Sequence, residues 1–326
     1  MAIRLLTAAD VRTALPMPEA IEAMREAYRA VSGDRAVMPL RTHLVLPGGL
    51  GATLTMPAAT SGPARLGTKL LTLFPGNPSR GLPFIQGLVV MFDAETGRPT
   101  GLLEGTALTA IRTGAASGLA TSLLANVGAS RVGIIGSGTQ ARTQLEAVCC
   151  ARDVKQVTVF SLDDAQPFVE EMQGKARVPR SIHIASSAAE VAENADIICT
   201  ATNATTPVLQ KEEVRPGTHI NAVGSYTPAM RELDPHLLPD VTLVVDQISA
   251  TMDEAGEVIA AVSEGLIREN ELVELGQVID GAHPGRQSES EITVFKSVGV
   301  AAQDLCAAGR ALARAEAAGI GLEIDL

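Results

Sequence analysis

The spacing of hydrophobic and polar positions changes along the chain, and each pattern predicts a different kind of element. Residues 1–35 have apolar residues at helical spacing, and the segment MPEAIEAMREAYRAVSG has Pro18 near its start and Gly33 just past its end, as helices commonly do. From about residue 39 to residue 103, short apolar runs such as THLVL, ATLTM and TKLLTL are separated by Gly, Pro and Asn, which predicts a sheet with turns. The next segment, GTALTAIRTGAASGLATSLLA, predicts a helix whose small residues allow close packing.

Beyond Arg131, apolar runs alternate with helical segments, which predicts a parallel, doubly wound sheet. The candidate strands are 131–135, 157–161, 181–185, 196–200, 218–222 and 241–246. The Ala-rich segment KSVGVAAQDLCAAGRALARAEAAG predicts one long helix that can return to the first part of the chain. We therefore expect an α/β protein, and a length of 326 residues favours two domains.

Composition narrows the class of protein. The chain is 46% hydrophobic and 19% charged, so it can form substantial cores and global disorder is not expected. Its formal net charge of −11 gives no general attraction to nucleic acid or to anionic membranes. With two Tyr, six Phe and no Trp, an aromatic platform for stacking bases is not expected either. Small-molecule partners remain.

The cysteines and histidines predict neither a metal site nor a disulfide framework. The four cysteines form no CxxC pair, and the adjacent Cys149 and Cys150 are interpreted as packing residues on a helix. The five histidines are isolated in the sequence. The first residues, MAIRLLTAADVRTALP, lack the apolar core of a signal peptide, and no uncharged apolar run reaches the ~18 residues that suggest a membrane span. We expect a soluble cytoplasmic protein.

The segment RVGIIGSGTQA carries the first candidate site. Gly136, Gly138 and Ala141 fit the G-x-G-x-x-A pattern between a strand and a helix, with Thr139 and Gln140 opening the helix. The first glycine permits a tight turn, the second lets the backbone approach a pyrophosphate, and the alanine allows close helix–strand packing. Such a turn also occurs as plain structure. The five strand candidates that follow favour dinucleotide binding.

The end of the second strand, VTVFSLDDA, bears on the choice of nucleotide. An acidic residue there usually accepts the ribose 2′-hydroxyl of NAD, whereas an Arg nearby suits the 2′-phosphate of NADP. This segment has Asp163 and Asp164 and no Arg. NAD(H) is therefore favoured and NADP(H) stays open. The alternative is that both aspartates only cap the next helix.

Three cationic residues stand in apolar or small-residue surroundings. These are Arg41 in MPLRTHL, Lys69 in LGTKLLTL and Arg112 in LTAIRTGAASG. Each by itself is more often a surface or salt-bridge residue, but a charge among small residues is costly unless it is paired. Together they predict an anion pocket, such as one for a substrate carboxylate.

Four motifs occur in order: LTAIRTGAASGLAT, VGIIGSGTQA, INAVGSYTPAMREL and SEITVFKSVG. With them the chain closely resembles the ornithine cyclodeaminase/mu-crystallin family over nearly its full length. The resemblance implies a substrate-binding and dimerisation domain of α+β type, formed by residues 1–125 plus 301–326. It also implies that a Rossmann-type NAD(P)-binding domain, residues 126–300, is inserted in it, and that the protein is a homodimer.

The resemblance implies hydride transfer between a nicotinamide and the α-carbon of an amino or imino acid. Arg41, Lys69 and Arg112 match the residues that bind and polarise the substrate carboxylate. Lys69 and Arg112 are the catalytic candidates, and a depressed pKa would let Lys69 move a proton at the imine nitrogen. Tyr226 is a further substrate-binding candidate. The cofactor-binding candidates are Gly136, Gly138, Thr139, Gln140, Ala141, Ser161, Asp163, Thr200, Ala201, Thr202, Val223, Gly224, Ser225 and Ser297.

Two positions depart from the cyclodeaminase pattern. Tyr226 stands where those enzymes have an Asp that handles the substrate amine, and Leu54 stands where they have a Glu that recognises a distal ammonium. A Tyr with a pKa near ~10 is no carboxylate base at neutral pH. These losses favour reduction of a preformed cyclic imine, Δ1-pyrroline-2-carboxylate or Δ1-piperideine-2-carboxylate, to L-proline or L-pipecolate.

Two alternatives stay open. One is a cyclodeaminase or an alanine-type dehydrogenase that uses replacement acids, for which Glu104 and Glu232 are candidates although each could be purely structural. The other is a catalytically silent, crystallin-like binding protein. The intact cationic trio and the G-x-G-x-x-A loop argue against the second.

Overall fold

The computed structural model describes residues 2–325, and these divide into two compact units. Unit 1 comprises the described residues up to Arg112 together with those from Val300 onward, and unit 2 comprises Thr113–Gly299. The sequence-based boundaries lay at residues 125 and 300, so the first one falls 13 positions earlier by this division (125 − 112). The substrate and cofactor roles of the units stay predictions.

The elements are numbered in chain order. The strands are β1 (Ala2–Leu6), β2 (Ala36–Val37), β3 (Thr42–Val45), β4 (Ala52–Thr60), β5 (Arg65–Leu73), β6 (Ile85–Phe92), β7 (Pro99–Glu104), β8 (Arg131–Ile135), β9 (Gln156–Phe160), β10 (Ile182–Ile184), β11 (Ile197–Thr200), β12 (His219–Ala222), β13 (Val241–Val245), β14 (Val273–Glu274), β15 (Ile292–Lys296) and β16 (Leu322–Asp325). The helices are α1 (Ala8–Ala14), α2 (Met17–Ser32), α3 (Gly105–Leu124), α4 (Thr139–Ala151), α5 (Gln166–Met172), α6 (Ala188–Asn194), α7 (Ile248–Glu254), α8 (Gly256–Ser263), α9 (Leu275–Ile279) and α10 (Ala301–Ala318).

Unit 1 is built on a mixed sheet with the strand order β16-β1-β7-β6-β5-β4-β2, and β3 also pairs with β4. Only the β1–β7 pair of this sheet is parallel. On β4, β5 and β6, Met56, Lys69 and Val89 stand side by side and are buried. Helix α10 packs across these three strands and against α2. Lys69 therefore lies in the middle of a strand, on the face that a helix covers.

One expectation for unit 1 was wrong. Residues 1–35 were expected to be helical throughout, but Ala2–Leu6 form β1. This strand is held by β7 on one side and by β16 on the other, and both partners are distant in the sequence. A pattern confined to the first residues does not contain that information, because strand pairing depends on segments that fold alongside.

Unit 2 contains a parallel sheet with the order β10-β9-β8-β11-β12-β15-β13-β14. Helices cover its two faces with separate apolar cores. One core includes Ile134, Leu145 and Phe168, and the other includes Ile198 and Val294. The strand order reverses beside β8, so the sheet is doubly wound as in dinucleotide-binding proteins. The six candidate strands overlap β8, β9, β10, β11, β12 and β13.

The segment before the last helix was also interpreted wrongly. The predicted helix began at Lys296, whereas Ile292–Lys296 form strand β15 and helix α10 begins at Ala301. Strand β15 lies between β12 and β13 inside the sheet. Its apolar run, ITVF, is typical of a strand buried on both faces, and it was obscured by the Ala-rich segment that follows.

The described part of the chain contains no helix that is long and apolar enough to cross a membrane. Within residues 2–325, no group of three or more His, Cys, Asp or Glu side chains could hold a metal ion.

Candidate active site

In unit 1, a buried ion cluster surrounds Lys69. The Lys69 Nζ lies 2.7 Å from Oδ2 of Asp304, which projects from the first turn of α10. Oδ1 of the same carboxylate accepts a hydrogen bond of 3.1 Å from Nε of Arg112 on α3. Lys69 and Asp304 are 1% and 0% exposed. The three charges therefore neutralise one another only in part, and two cations share one carboxylate.

Gln303 fixes the Arg112 guanidinium from a second side. The Gln303 Oε1 accepts hydrogen bonds from Nη1 of Arg112 (2.8 Å) and from the backbone N–H of Val300 (2.9 Å). Its Nε2 donates to the hydroxyl of Tyr28 on α2. Arg112 thus has its Nε and Nη1 bound, while its Nη2 has no partner among residues 2–325. That nitrogen retains two protons for a ligand.

Lys69 has donor capacity in excess as well. Asp304 is its one ion-pair partner among the described residues, so two of the three ammonium protons are not engaged. Burial lowers the Lys69 pKa to about 8; Asp304 opposes that shift, and Arg112 and Arg41 reinforce it. A lysine with a pKa near neutrality can both give and take a proton.

Arg41 acts on this cluster through its charge. It immediately precedes β3, is half-buried, and lies close enough to influence the pKa of both Lys69 and Asp304. Burial favours the neutral form of Asp304, but Lys69 and Arg112 outweigh it and hold the pKa of that carboxyl below its usual value. The predicted trio Arg41, Lys69 and Arg112 is therefore brought together in unit 1.

Sequence reasoning missed Asp304 and Gln303, although one signal was available. They are the only polar residues among the first eight of α10, AAQDLCAA, apart from Cys306. A carboxylate on an otherwise small, apolar helix face indicates a buried cationic partner.

In unit 2, the predicted dinucleotide loop has the geometry that its glycines imply. Gly136 has a φ of +106°, and a Cβ there would lie 2.5 Å from the carbonyl oxygen of Ala201. Gly138 is the N-cap of α4, so no side chain caps the helix. A Cβ at this position would meet no atom within 4 Å. Ala141 is buried against β8 and its neighbours. The space over Gly138 and the helix N-terminus fit a pyrophosphate.

Side chains around the loop hold its carbonyls. Nη1 of Arg142 donates to the carbonyls of Ser137 and Gly138, and its Nε pairs with Glu171 of α5 at 2.7 Å. Ser137 Oγ donates to Ser161 Oγ, 3.0 Å away, just beyond β9. The amide groups that open α4 are left to face a ligand.

The segment after β9 places the residues that bear on the nucleotide. Ser161 Oγ accepts from the backbone N–H of Asp163, and the Asp164 carboxylate accepts from that of Gln166. Both aspartates are exposed. Asp164 thus binds the first N–H of α5 from the position before the N-cap, Ala165. The Asp163 side chain makes no hydrogen bond or ion pair within residues 2–325.

Glu232 joins the ends of two strands. Its Oε2 accepts hydrogen bonds from Thr200 Oγ1 (2.8 Å) and the backbone N–H of Gly224 (2.7 Å). Its Oε1 accepts from the N–H (2.7 Å) and Oγ1 (2.8 Å) of Thr202. Burial raises the Glu232 pKa, whereas Lys296 and the hydrogen bonds from Thr202 oppose the shift. The cofactor candidates Thr200, Thr202 and Gly224 are therefore fixed by one carboxylate, with Ala201 between them.

A second buried ion pair lies at the end of β15. Lys296 Nζ lies 3.0 Å from Oε1 of Glu257 on α8 and donates to the carbonyl of Ser225 at 2.7 Å. The Ser225 hydroxyl lies 2.6 Å from the other Glu257 oxygen. Lys296 and Glu257 are both fully buried. The pair fixes both the backbone and the side chain of Ser225, and Val223 lies directly after the end of β12.

Ser297 is held by Asp246, which follows β13. One Asp246 oxygen accepts from the Ser297 hydroxyl (2.8 Å) and from the backbone N–H groups of Val298 (2.9 Å) and Gly299 (2.7 Å). The structure thus groups the unit 2 candidates at the carboxyl ends of β8, β9, β11, β12 and β15, where doubly wound sheets bind ligands.

Glu104 and Glu232 are both engaged in holding the backbone. The two oxygens of Glu104 accept from the N–H groups of Thr106 and Ala107 at 2.8 and 2.7 Å, which caps α3. Glu232 accepts four hydrogen bonds, as described above. Neither carboxylate retains an obvious function as a replacement acid.

These features can be compared with known proteins. The model of the ornithine cyclodeaminase/mu-crystallin family matches residues 2–318. The chain belongs to this family. The resemblance read from the four motifs is confirmed, and so is the predicted fold class.

Individual members of the ornithine cyclodeaminase/mu-crystallin family match closely. The Delta(1)-pyrroline-2-carboxylate reductase of Bacillus cereus is 38% identical over 322 residues, covering 98% of this chain and 99% of that protein. The structure of the Thermococcus litoralis Delta(1)-pyrroline-2-carboxylate reductase in complex with NADH and L-proline has a TM-score of 0.93 and 38% identity, over 99% and 100% of the two chains. An archaeal alanine dehydrogenase dimer with bound NAD has a TM-score of 0.92 and 34% identity over 100% of both.

The two positions that depart from the cyclodeaminase motifs have ordinary surroundings in this family member. Leu54 is 5% exposed in β4, where it joins the apolar packing of unit 1. Tyr226 is 36% exposed in the loop after β12. No acid occupies either position, and the substrate-binding function of Tyr226 stays a prediction.

Proposed function

We propose that this protein reduces Δ1-pyrroline-2-carboxylate to L-proline with NADH, with Δ1-piperideine-2-carboxylate as the larger alternative substrate. The observation that carries the proposal is the Lys69–Asp304–Arg112 cluster, in which Lys69 and Arg112 retain unpaired donor protons. Such a cluster suits a ligand with a carboxylate and a basic nitrogen. The similarity to two pyrroline-2-carboxylate reductases over nearly the full chain supports it.

The residues of unit 1 divide the chemistry between them. Arg112 offers Nη2 to the substrate carboxylate, and Arg41 adds positive charge near the same place. Lys69 supplies the proton that the ring nitrogen gains as the C=N bond is reduced. NADH, when bound, supplies the hydride. Gly136, Gly138 and the start of α4 hold the pyrophosphate, and Thr200–Thr202, Val223–Ser225 and Ser297 surround the remainder of the dinucleotide.

The reaction requires no acid beyond this set. Reduction of a preformed imine releases no ammonia, so it needs neither the Asp replaced by Tyr226 nor the Glu replaced by Leu54. Because Glu104 and Glu232 are engaged by backbone and hydroxyl donors, cyclodeamination by replacement acids is the weaker candidate. Alanine dehydrogenation stays an alternative because an alanine dehydrogenase has the same fold.

The decisive assay follows NADH oxidation at 340 nm with each cyclic imine. L-Ornithine plus NAD⁺ with ammonia detection, and pyruvate plus ammonia with NADH, serve as parallel reactions. We expect rapid oxidation with Δ1-pyrroline-2-carboxylate and none that depends on ammonia. Ammonia release from ornithine, or faster turnover with pyruvate and ammonia, would replace the proposal by one of its alternatives. No turnover with any substrate would favour a silent binding protein.

We propose NAD(H) rather than NADP(H) as the preferred nucleotide. The Asp163 carboxylate has no intramolecular partner within the described residues, so it is available to accept from a ribose 2′-hydroxyl and would repel a 2′-phosphate. Asp163→Ser is therefore expected to lower the NADH/NADPH ratio of kcat/KM by about tenfold. Asp164→Ser, which alters a carboxylate already bound to the backbone N–H of Gln166, is the matched control. Equal ratios in wild type and Asp163→Ser would remove this basis for the preference.

We propose that the protein is a homodimer formed through unit 1. Leu44, Leu70 and Leu88 lie on the sheet face opposite Lys69 and are 59%, 39% and 45% exposed. Exposed leucines grouped on one face of a sheet are typically covered by a partner. The dimeric state of the archaeal alanine dehydrogenase supports a second copy as that partner. Light scattering should give twice the chain mass for wild type and a monomer for Leu44→Glu. The cytoplasmic location stays a prediction.

A further inference from the structure

We propose that Asp304 is the positioning residue of the proton-transfer step: it keeps Lys69 charged and holds its ammonium in place for the substrate nitrogen. This inference rests on the proposed function for its substrate. It concerns a residue that the sequence motifs did not single out.

The geometry ties Asp304 to both cations at once. One carboxylate oxygen lies 2.7 Å from Lys69 Nζ, and the other accepts from Arg112 Nε at 3.1 Å. Because the carboxylate is planar and both oxygens are engaged, the relative positions of the ammonium and the guanidinium are fixed. The Lys69 side chain is flexible, with a stem of four carbons, and Asp304 is its one ion-pair partner among residues 2–325. The position of the ammonium group therefore depends on Asp304.

The charges around Lys69 explain why the carboxylate is needed. Arg112 from α3 and Arg41 from the segment before β3 both repel the ammonium, and burial also disfavours it. The neighbouring strands β4 and β6 contain no ionisable residue. On α10, Arg310 pairs with Glu19 and Glu26, and Arg314 pairs with Glu19. Asp304 is thus the negative charge that opposes these effects on Lys69.

The proton balance gives Asp304 its function. As the imine carbon gains the hydride, the C=N π bond breaks and its electron pair goes to the nitrogen. The nitrogen takes a proton from the Lys69 ammonium, which becomes a neutral amine and later regains a proton from water. A Lys69 that were already neutral could not make the first transfer. Asp304 favours the charged form before transfer, and it does not itself need to gain or lose a proton.

The first test is the pH profile of kcat/KM for imine reduction in wild type, Asp304→Asn and Asp304→Glu. The activity of wild type should fall above a pH of about 8, where Lys69 loses its proton. In Asp304→Asn the fall should begin at least one pH unit lower, which makes the loss relative to wild type about fivefold greater at pH 8 than at pH 6 for a displacement of one unit. Asp304→Glu keeps the charge, so its fall should remain near that of wild type even if kcat is lower at all pH values.

A matched control is Glu26→Gln, which removes a carboxylate from the ion pairs of Arg65 and Arg310 in the same unit. Its profile should follow wild type. A uniform loss of activity in Asp304→Asn, with no displacement along the pH axis, would show that Asp304 is only structural and would overturn the inference.

The second test does not depend on the substrate. The titration of Lys69 is followed by NMR of protein labelled with lysine carrying ¹³C at the ε-carbon, which needs no access of a reagent to the buried side chain. The Lys69 signal is assigned by its loss in Lys69→Met, and Lys155, an exposed lysine, is the reference. The midpoint should lie near pH 8 in wild type and at least one unit lower in Asp304→Asn. If imine reduction were absent but the midpoint moved, the proposed function would fail while the Lys69–Asp304 coupling stood. An unmoved midpoint would overturn the coupling itself. Should Asp304→Asn not fold, a wild-type midpoint below pH 6 would overturn the coupling as well, because Lys69 would then be neutral at neutral pH despite Asp304.

Discussion

The two units both contain buried lysine–carboxylate pairs, but the pairs differ in how many ammonium protons of the lysine remain without an acceptor. In unit 1, Lys69 has one partner and shares it with Arg112, whose Nη2 is also unengaged in the described chain. In unit 2, Lys296 is bound to Glu257 and to the Ser225 carbonyl. Burying a charge is costly in either place. Residual donor capacity, rather than burial alone, therefore separates a reactive cluster from a structural one.

Replacing each lysine by Met should separate the two cases most strongly. Lys69→Met should lower kcat/KM by about 10³-fold while the protein stays folded, because Arg112 still compensates Asp304. Lys296→Met leaves Glu257 without its cation and should lower the free energy of unfolding by about 3–5 kcal/mol. Steady-state kinetics and urea unfolding followed by circular dichroism measure both effects. A comparable loss of stability in the two variants would contradict the distinction between a reactive and a structural lysine.

Glu232→Gln tests whether a saturated carboxylate supports the cofactor site. In the variant, an NH2 group replaces one carboxylate oxygen and faces N–H and O–H donors, either those of Thr202 or those of Thr200 and Gly224. The hydrogen bonds to that oxygen are lost, together with the buried charge. We expect the loss in the free energy of unfolding and the loss in the free energy of NADH binding to add up to about 3 kcal/mol. Glu104→Gln is the control, since its helix cap lies in unit 1 and should leave the NADH dissociation constant unchanged. Fluorescence titration with NADH and thermal unfolding distinguish the two contributions.

His219 represents a buried group that is kept neutral. It is fully buried between Thr293 and Asn221, and burial, aided by the charge of Arg286, lowers its pKa to about 3. Below pH ~6.5, His219 binds a proton in the unfolded chain but stays neutral in the folded chain. The free energy of unfolding therefore falls as the pH decreases from about 6.5 to about 3. From pH 7 to pH 5 the loss due to His219 should be about 2 kcal/mol.

His219→Gln should reduce this acid sensitivity, whatever its stability at pH 7. His183→Gln, at an exposed histidine, should retain the wild-type dependence. Urea unfolding at pH 7 and pH 5 measures both. Parallel losses in wild type and His219→Gln would assign the effect to other groups.

The smallest expected effect concerns a site without charged side chains. Gly138→Ala places a methyl group where no protein atom lies within 4 Å, so stability should change by less than about 0.5 kcal/mol. NADH should nevertheless bind about tenfold more weakly, because the methyl group occupies the space expected for the pyrophosphate. Gly136→Ala should instead destabilise unit 2 by about 1–3 kcal/mol, since its φ is +106° and its Cβ would strike the Ala201 carbonyl. Unchanged NADH binding in Gly138→Ala would contradict the proposed cradle.

The sequence determined the features that depend on neighbouring residues. Two examples are the turn geometry of Gly136 and Gly138 and the alternation of β8 to β13 with helices, and both follow from local patterns. The motifs also identified the family and three cations as a group. These inferences succeed because periodicity and backbone freedom are properties of short segments.

Tertiary structure decided which charges compensate one another. Arg112 and Asp304 are 192 positions apart. Nothing in the local sequence specifies that Asp304 on α10 lies within hydrogen-bonding distance of Lys69 on β5 and of Arg112 on α3. The same holds for β1 and β16, which pair across the length of the chain, and for β15, whose place in the sheet was not evident. Ion pairs and strand pairs between distant segments depend on how the whole chain packs. The sequence therefore supplied Lys69 as a candidate, and the fold supplied the carboxylate that sets its proton affinity.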